Sequence, residues 1–569
     1  MLRDDRFKDL IKSDIRKDLI AGLTVGVVAI PLGMAFAIAS GVKPEYGLYT
    51  TIIAGLLVAL FGGSRFQVAG PTGAFIPILL AIVLQYGYED LLIAGFLAGI
   101  MLIIMGFLKV GNLIKYIPRS VTIGFTAGIA VIIFSGQIEN FLGLKGIEKK
   151  EYFHENMLQI FNNLSTINIY SVITALIGLL IVIYLPKLFP RVPALLVAII
   201  IPTVLAIVFF PGKLATIGTE FGGISQSFPS IKFPEITLEK VLYLWQPAFV
   251  IAMLGGIESL LSAVVADGMT GSRHQSNREL FGQGLANVVT PLFGGIPATG
   301  AIARTATNIR AGAVSPYSAI FQSVFVLLTL LLFAPFASHV PLASMAPILM
   351  FVAFNMSEYK SFWHIFQMRS GDSLVLVTTF LLTVFVNLTV AVPIGLGLAM
   401  ISFIKRMSEV LEVEQIIPDA QVKHENDEEK EYRCPQIASY TIHGPLFFGA
   451  ADRFETIITR SINERPKVLI LKMRHVSLID VTGEANLASL VLDYQNMGGT
   501  VLISELDEDP LEMLEMSGLS VVIGPEHFFS STTEAINHAL TLIDPNDCPL
   551  CAKNGYKKCQ TYRQIDINE

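Results

Sequence analysis

The first two thirds of this chain is a succession of apolar runs, many of them near the roughly 20 residues that a helix needs to cross a bilayer core. About fourteen can be read, near 19–40, 46–62, 68–86, 90–108, 117–137, 169–185, 193–210, 246–266, 278–295, 297–311, 315–337, 342–355, 371–388 and 390–406. A series of this kind leaves one kind of solution. Lipid offers no hydrogen bonds, so the runs must satisfy their own backbone groups as packed helices. Composition agrees: 53% of the 569 residues are hydrophobic and 15% charged, which excludes an ordinary water-soluble protein and a disordered one.

Charge divides the chain where the last run ends. Residues 1–407 hold 27 Lys and Arg against 20 Asp and Glu, net +7, whereas residues 408–569 hold 13 against 27, net −14. The first part reads as a membrane domain and the second as an acidic soluble one, and neither has the basic surface that nucleic acid requires. The expected division is an N-terminal segment at 1–18, a transmembrane domain at 19–407, an acidic linker at 408–432, a small α/β domain at 433–545 and a Cys-containing tail at 546–569.

Basic residues recur in every second short loop, as at Arg65, at Lys109, Lys115 and Arg119, at Lys187 and Arg191, at Arg273 and Arg278, and at Lys405 and Arg406. By the positive-inside rule the N-terminus is cytoplasmic. An even number of spans places the C-terminus there too, in a multi-pass protein of the cell (inner or plasma) membrane. The first run has no small-residue cleavage site, so it is expected to stay in place.

Gly70-Pro71-Thr72-Gly73-Ala74-Phe75 and Pro297-Ala298-Thr299-Gly300-Ala301-Ile302 share Thr-Gly-Ala at an offset of 227 residues. Each copy opens the third run of its own set of seven, and paired Gly/Pro-broken spans in matching positions point to a transporter binding site. Seven is odd, so the second set is inverted relative to the first. A half-helix that starts at membrane depth leaves its first N–H groups unpartnered and carries partial positive charge there, so two facing each other make an anion site. Thr72 and Thr299 add hydroxyls. The alternative is that Gly and Pro only kink two spans for packing.

Glu258 lies in an apolar run, AFVIAMLGGIESLLSAVVA. An acid at that depth faces a cavity, pairs with a cation, binds an ion or carries a proton, unless a neighbouring helix simply satisfies it. Ser262, one turn on, shares its face, and Ser259 is adjacent, so their oxygens would complete a cation site. Arg304 comes seven residues after Pro297, about two turns into the second half-helix, where it reaches the anion site, pairs with Glu258 or snorkels to the interface. Pro31 and Phe36 mark an irregular first span.

AIPLGMAFAIASGVKPEYGLY, AGPTGAF, GGIESLLSAVVADGMTGSRHQSNREL and GQGLANVVTPLFGGIPATGAIARTATNIR together resemble the SulP anion transporter family, also called solute carrier family 26. The resemblance implies fourteen transmembrane segments in a seven-plus-seven inverted repeat with core and gate halves, an all-α membrane fold followed by a cytoplasmic α/β STAS domain. It implies a homodimer and an anion site lined by Pro31, Leu32 and Phe36, by Thr72, Gly73 and Ala74, and by Thr299, Gly300, Ala301, Ala303 and Arg304. Glu258 and Ser262 fall where family members bind a coupling ion, H+ or Na+. Leu32 departs from the family, in which many members have Gln after that proline, so backbone donors must do more.

The function expected is secondary transport of a small anion such as sulfate, bicarbonate or a dicarboxylate. No GxxxxGK[ST] motif occurs, so ATP is not the driver, and no enzyme or resident cofactor is expected. An uncoupled exchanger or channel, or a membrane sensor signalling through the STAS domain, are the competing classes.

After about residue 434 short strand runs alternate with helical periods. VSLIDVTGEANLASL resembles the STAS loop and helix, with Val481 where related antagonists carry a phosphorylatable Ser, and Thr482 is expected as a helix N-cap. The domain would assist folding, dimerisation or a cytoplasmic regulatory partner. Cys548, Cys551 and Cys559 are spaced C-x2-C-x7-C, which fits either a Zn2+ clip completed by a residue such as His538 or a reduced tail.

Overall fold

The computed structural model describes residues 4–7, 12–112, 117–189, 192–226, 231–386, 388–415, 436–450 and 466–543. Two compact units are distinguished, Met1–Ala399 and Met400–Glu569.

Every apolar run carries a helix: α1 Lys12–Ala39, α2 Pro44–Phe61, α3 Ile76–Tyr86, α4 Tyr88–Phe107, α5 Arg119–Gly136, α6 Ile169–Leu188, α7 Ala194–Phe209, α8 Leu238–Thr270, α9 Ser276–Val289, α10 Ile302–Arg310, α11 Tyr317–Ala337, α12 Leu342–Met356, α13 Gly371–Phe385 and α14 Leu388–Glu409. Among the described residues, eight helices are long and apolar enough to cross a membrane alone. The third and tenth are not: α3 has 11 residues and α10 only 9.

The inverted repeat is written into the packing. Helix α4 lies against α8 and α9 as α11 lies against α1 and α2, and α5 lies against α13 as α12 lies against α6, so a shift of seven helices maps each pairing onto its counterpart. The core half is α1–α4 with α8–α11, and the gate half α5–α7 with α12–α14.

Lipid supplies no hydrophobic drive between helices, so close approach through small residues holds the core half together. A Cβ on Gly47 of α2 would stand 2.0 Å from the Gly33 carbonyl oxygen of α1. Gly99 of α4 and Gly284 of α9 meet reciprocally, each Cβ position 2.7 Å from the other's carbonyl oxygen. Helix α1 runs unbroken through Pro31, contrary to the irregular span expected; a proline is tolerated in a membrane helix where its surroundings satisfy the freed backbone group.

The second unit is a five-stranded sheet, β3 Glu412–Gln415, β4 Ile437–His443, β5 Val468–His475, β6 Thr500–Ser504 and β7 Phe528–Phe529, in that spatial order; β1 and β2 belong to the first unit and are described below. Within this sheet, among the described residues, β3–β4 is antiparallel and the other three pairings are parallel. Strand β5 alternates across the sheet, Leu469 and Leu471 entering one apolar layer with Leu487 and Val491, Val468 and Ile470 the other with Ala535 and Ala539.

Two expectations are corrected here. Residues 412–415, assigned to an acidic linker, form the edge strand, with Val413 turned to the core while Glu412 and Glu414 stay exposed. Asp480, not Thr482, caps the helix Val481–Asn496, its Oδ1 accepting from Gly483 N at 2.8 Å while Oδ2 accepts from Phe448 N at 3.0 Å. The stretch FETIITRSI and Cys548, Cys551 and Cys559 lie outside the described residues, whereas His538 lies on the helix Thr532–Thr541.

The Gly33–Gly47 contact is testable. Gly47→Ala is expected to lower stability by about 1–3 kcal/mol through overpacking. Gly268→Ala on α8, where a Cβ meets nothing within 4 Å, should leave it unchanged or slightly raised. Thermal midpoints of the purified variants in detergent would show the difference.

Candidate anion site between two broken helices

The residues ahead of α3 and α10 do not continue those helices. Ala69–Gly70 (β1) and Thr299–Gly300 (β2) are extended and pair antiparallel, Ala69 opposite Gly300 and Gly70 opposite Thr299. The two strands run antiparallel into the segments that begin α3 and α10, so both helices start close to the same buried ribbon. The residue preceding α10, Ala301, makes no side-chain cap, and neither does Thr72, which precedes the single 3-10 turn Gly73–Phe75 that leads into α3. The positive ends of both helices are thus left open to a ligand.

Polar side chains at membrane depth hold the ribbon in place. Asn287 of α9 clamps Ala298 from both sides, its Nδ2 donating to Ala298 O and its Oδ1 accepting from Ala298 N, both at 2.8 Å. Thr50 Oγ1 donates to Ile296 O at 2.9 Å. Gly300 N donates to Ser259 Oγ at 3.0 Å, and Gln67 Nε2 donates to Ser259 O at 3.0 Å. Gln67 fills the space that a side chain at 300 would need, since a Cβ there would lie 1.5 Å from its Nε2. On the far side, Val68 N and Ser262 Oγ both donate to Thr305 Oγ1, at 3.1 and 3.2 Å.

The two charged groups flank the turn into α3. Glu258 Oε2 accepts from Thr72 Oγ1 at 2.9 Å. Arg304, 2% exposed, reaches back across the ribbon, its Nη2 donating to Pro71 O and its Nη1 buried without a partner against the bare Cα of Gly70. Each charge is therefore held by the turn, one on Pro71 and one on Thr72. Arg304 is buried on the ribbon, and it and Glu258 adjoin the same turn, Pro71–Thr72, with no ion pair between them among the described residues.

The sequence-predicted residues thus fall into three groups. Thr72, Gly73, Thr299, Gly300, Ala301, Glu258 and Arg304 come together around the ribbon. Leu32, Phe36 and Ala74 sit beside it in a buried apolar cluster with Ile129 and Ile133 of α5 and Met345 and Leu349 of α12, with Pro31 buried on α1. Ala303 is exposed on the first turn of α10, and Ser262 is turned to Thr305 and away from Glu258. The depth expected for Arg304 is corrected. Helix α10 starts at Ile302, not Pro297, because residues 299–300 are used in the ribbon, and Arg304 lies in the first turn. Gln67, Asn287 and Thr305 were not predicted. The signal for them is the one used for Glu258: a polar side chain in an apolar run needs a reason.

A separate cavity of about 340 Å3 lies along α3, lined by Ile76, Leu80 and Gln85 of α3 and by Ile133 and Gln137 near the end of α5. None of the ribbon residues, Ala69, Gly70, Thr299 and Gly300, lines it.

Two inverted sets of helices with broken third and tenth members, followed by a small α/β domain, define a membrane transporter of the STAS-tailed class. Residues 15–379 match the Sulfate permease family and residues 432–535 the STAS domain, and the chain belongs to that family. It is a family of transporters, not of enzymes. The chain is 53% identical over 529 residues to YvdB of Bacillus subtilis, provisionally described as a sulfate transporter, covering 93% of this chain and 98% of that one. It is 30% identical over 554 residues to the bicarbonate transporter BicA of Picosynechococcus, covering 94% and 96%. Among solved structures, that of SLC26A9 shares the fold with a TM-score of 0.83 at 20% identity, covering 96% of this chain and 93% of that one.

The Asn287 clamp gives a prediction. Asn287→Leu keeps the volume but strands the N–H and C=O of Ala298, two buried groups at about 1–3 kcal/mol each. The variant should melt earlier in detergent and lose protection of the 296–301 amides in hydrogen exchange. An unchanged exchange pattern would show that the ribbon does not depend on this side chain.

Proposed function

We propose that this chain is a secondary active transporter that moves a small inorganic or organic anion, of the sulfate, bicarbonate or dicarboxylate type, across the cell membrane by alternating access. One observation carries the reading: two uncapped helix N-termini meet at a buried ribbon, and beside them the Arg304 guanidinium has one nitrogen fixed on Pro71 and the other, Nη1, buried without a partner. Backbone N–H dipoles and a preorganised guanidinium suit the oxygens of a small anion. Thr72, Gly73, Ala74, Thr299, Gly300, Ala301, Ala303 and Arg304 would line it, with Pro31 and Phe36 as its wall. The names of YvdB and BicA, a sulfate and a bicarbonate transporter, point to the same class of cargo.

Coupling runs through Glu258. Its carboxylate holds Thr72, a residue of the anion site, so an arriving anion and an ionised Glu258 repel each other and anion binding favours uptake of a cation. A proton is taken as the coupling ion, since a carboxylate at this depth can take one up without any further ligand. The working unit is a homodimer with both termini in the cytoplasm, the orientation its basic loops favour.

Uptake of labelled sulfate, bicarbonate and dicarboxylates into proteoliposomes of the full chain, with pH and Na+ gradients set independently, tests this. At least one anion should accumulate with an inward proton gradient. Arg304→Ala, which removes a charge-assisted contact, should lower apparent affinity by about tenfold or more. Glu258→Gln should remove the response to pH while retaining anion binding; a response that survives would overturn the coupling assignment. Inhibition by nucleobases instead of anions would overturn the substrate class.

A further inference from the structure

The nine-residue helix Tyr359–Gln367 joins α12 to α13 and belongs to neither. Residues in the left-handed region stand at both of its borders, Glu358 at φ 41° and Arg369 at φ 48°, where the chain leaves α12 and enters α13. Its residues divide into three faces at roughly 100° per residue. Phe362 and Ile365 face the protein, with Phe362 edge-on to Phe380 of α13 at 5.3 Å. Tyr359, Trp363 and Phe366 form a second face, 52%, 56% and 44% exposed. Lys360, His364 and Gln367 form a third, also exposed.

The helix joins two apolar helices of the membrane unit, and an aromatic face beside a polar one is what the boundary between lipid and water selects. The aromatic face continues the outer surface of α12, where exposed Phe354 packs on Tyr359 with ring centroids 5.3 Å apart. The nearby acids are already engaged: Glu358 Oε2 lies 3.8 Å from Arg119 Nη2, and Asp372 Oδ1 accepts from Ser120 Oγ at 3.4 Å. Lys360 and Arg369 form no ion pair among the described residues, and both are exposed. From the aromatic face, the two cations without an ion pair and the continuity with α12, we infer that the Tyr359–Gln367 helix is an interfacial anchor whose Lys360 and Arg369 bind the headgroup of an anionic phospholipid.

The repeat supplies an internal control. The helix Phe153–Asn162 joins α5 to α6, the counterparts of α12 and α13, and also exposes an apolar face, with Leu158 and Phe161 outward. It contains no Lys or Arg, and carries His154 and Glu155 instead. Both helices are interfacial, and only the Tyr359–Gln367 helix is selective for anionic lipid.

The chain has two tryptophans, so Trp245→Phe leaves Trp363 as the sole indole reporter. The full-length variant is placed in phosphatidylcholine vesicles containing either brominated phosphatidylglycerol or brominated phosphatidylcholine at equal mole fraction. Trp363 fluorescence should be quenched by both lipids, with phosphatidylglycerol favoured by about fivefold per engaged cation. Lys360→Gln with Arg369→Gln should abolish the preference while leaving quenching by brominated phosphatidylcholine intact, which also shows that the helix is still folded at the interface. A tryptophan moved to Leu158, with both native ones replaced by Phe, should show no preference. Absence of quenching by either lipid, equal quenching by the two in the parent, or a preference that survives the double substitution would each overturn the proposal.

Discussion

A helix interrupted inside a bilayer exposes N–H and C=O groups that lipid cannot satisfy. Here two interruptions, distant in sequence, solve the problem for each other by pairing Ala69–Gly70 with Thr299–Gly300. Side chains from four further places complete the satisfaction: Asn287 on Ala298, Thr50 on Ile296, Asn308 on Phe66 and Thr305 on Val68. Several polar residues that look out of place in apolar runs are therefore structural. They hold a strand-like crossing where a helix would otherwise be required. What they leave uncapped, the starts of α3 and α10, is the part a ligand would occupy.

Much of this was legible in the sequence because it is local. Apolar runs of membrane length become helices wherever their backbone is in lipid, and the repeated Thr-Gly-Ala marks the two places where they break. Where α10 begins was not legible. Its start is fixed by pairing with residues 69–70, a contact across more than two hundred positions that leaves no trace in the local spacing of apolar residues. The error in depth for Arg304 follows from it. Strand β3 was hidden for a related reason: Glu412-Val413-Glu414-Gln415 is acidic enough to read as a linker, and only its partner β4 makes it a strand. Asp480 lost the capping position to Thr482 in the sequence reading because both residue types cap. The choice is made by the loop at Phe448, whose N–H needs the second carboxylate oxygen.

The signalling reading of the chain asks for a membrane part that senses without carrying cargo. A sensor needs a site but has no use for paired half-helices in two halves of opposite orientation, since one broken span binds an anion as well as two. Inversion has a consequence only where a site must be reachable from either surface, because an inverted pair looks alike from both sides. The symmetry of the packing, with α4 on α8 and α9 repeated as α11 on α1 and α2, therefore weighs toward carriage.

The distribution of polar and apolar contacts around the ribbon adds a second argument. Its directional bonds run to α2, α8, α9 and α10, all in the core half, and would break if those helices moved against one another. Toward α5 and α12 the same elements join one buried apolar cluster, which holds Leu32, Phe36 and Ala74 and also Ile129, Ile133, Met345 and Leu349. Gly73 is part of this surface, since a Cβ there would lie 2.8 Å from Met356 Sδ at the end of α12. Hydrogen bonds fix a register, whereas apolar side chains lose little on sliding from one packed arrangement to another. On the proposed transport cycle an anion held at the ribbon travels with the core half; among the described residues the ribbon makes no hydrogen bond to α5 or α12, so what must repack there is apolar.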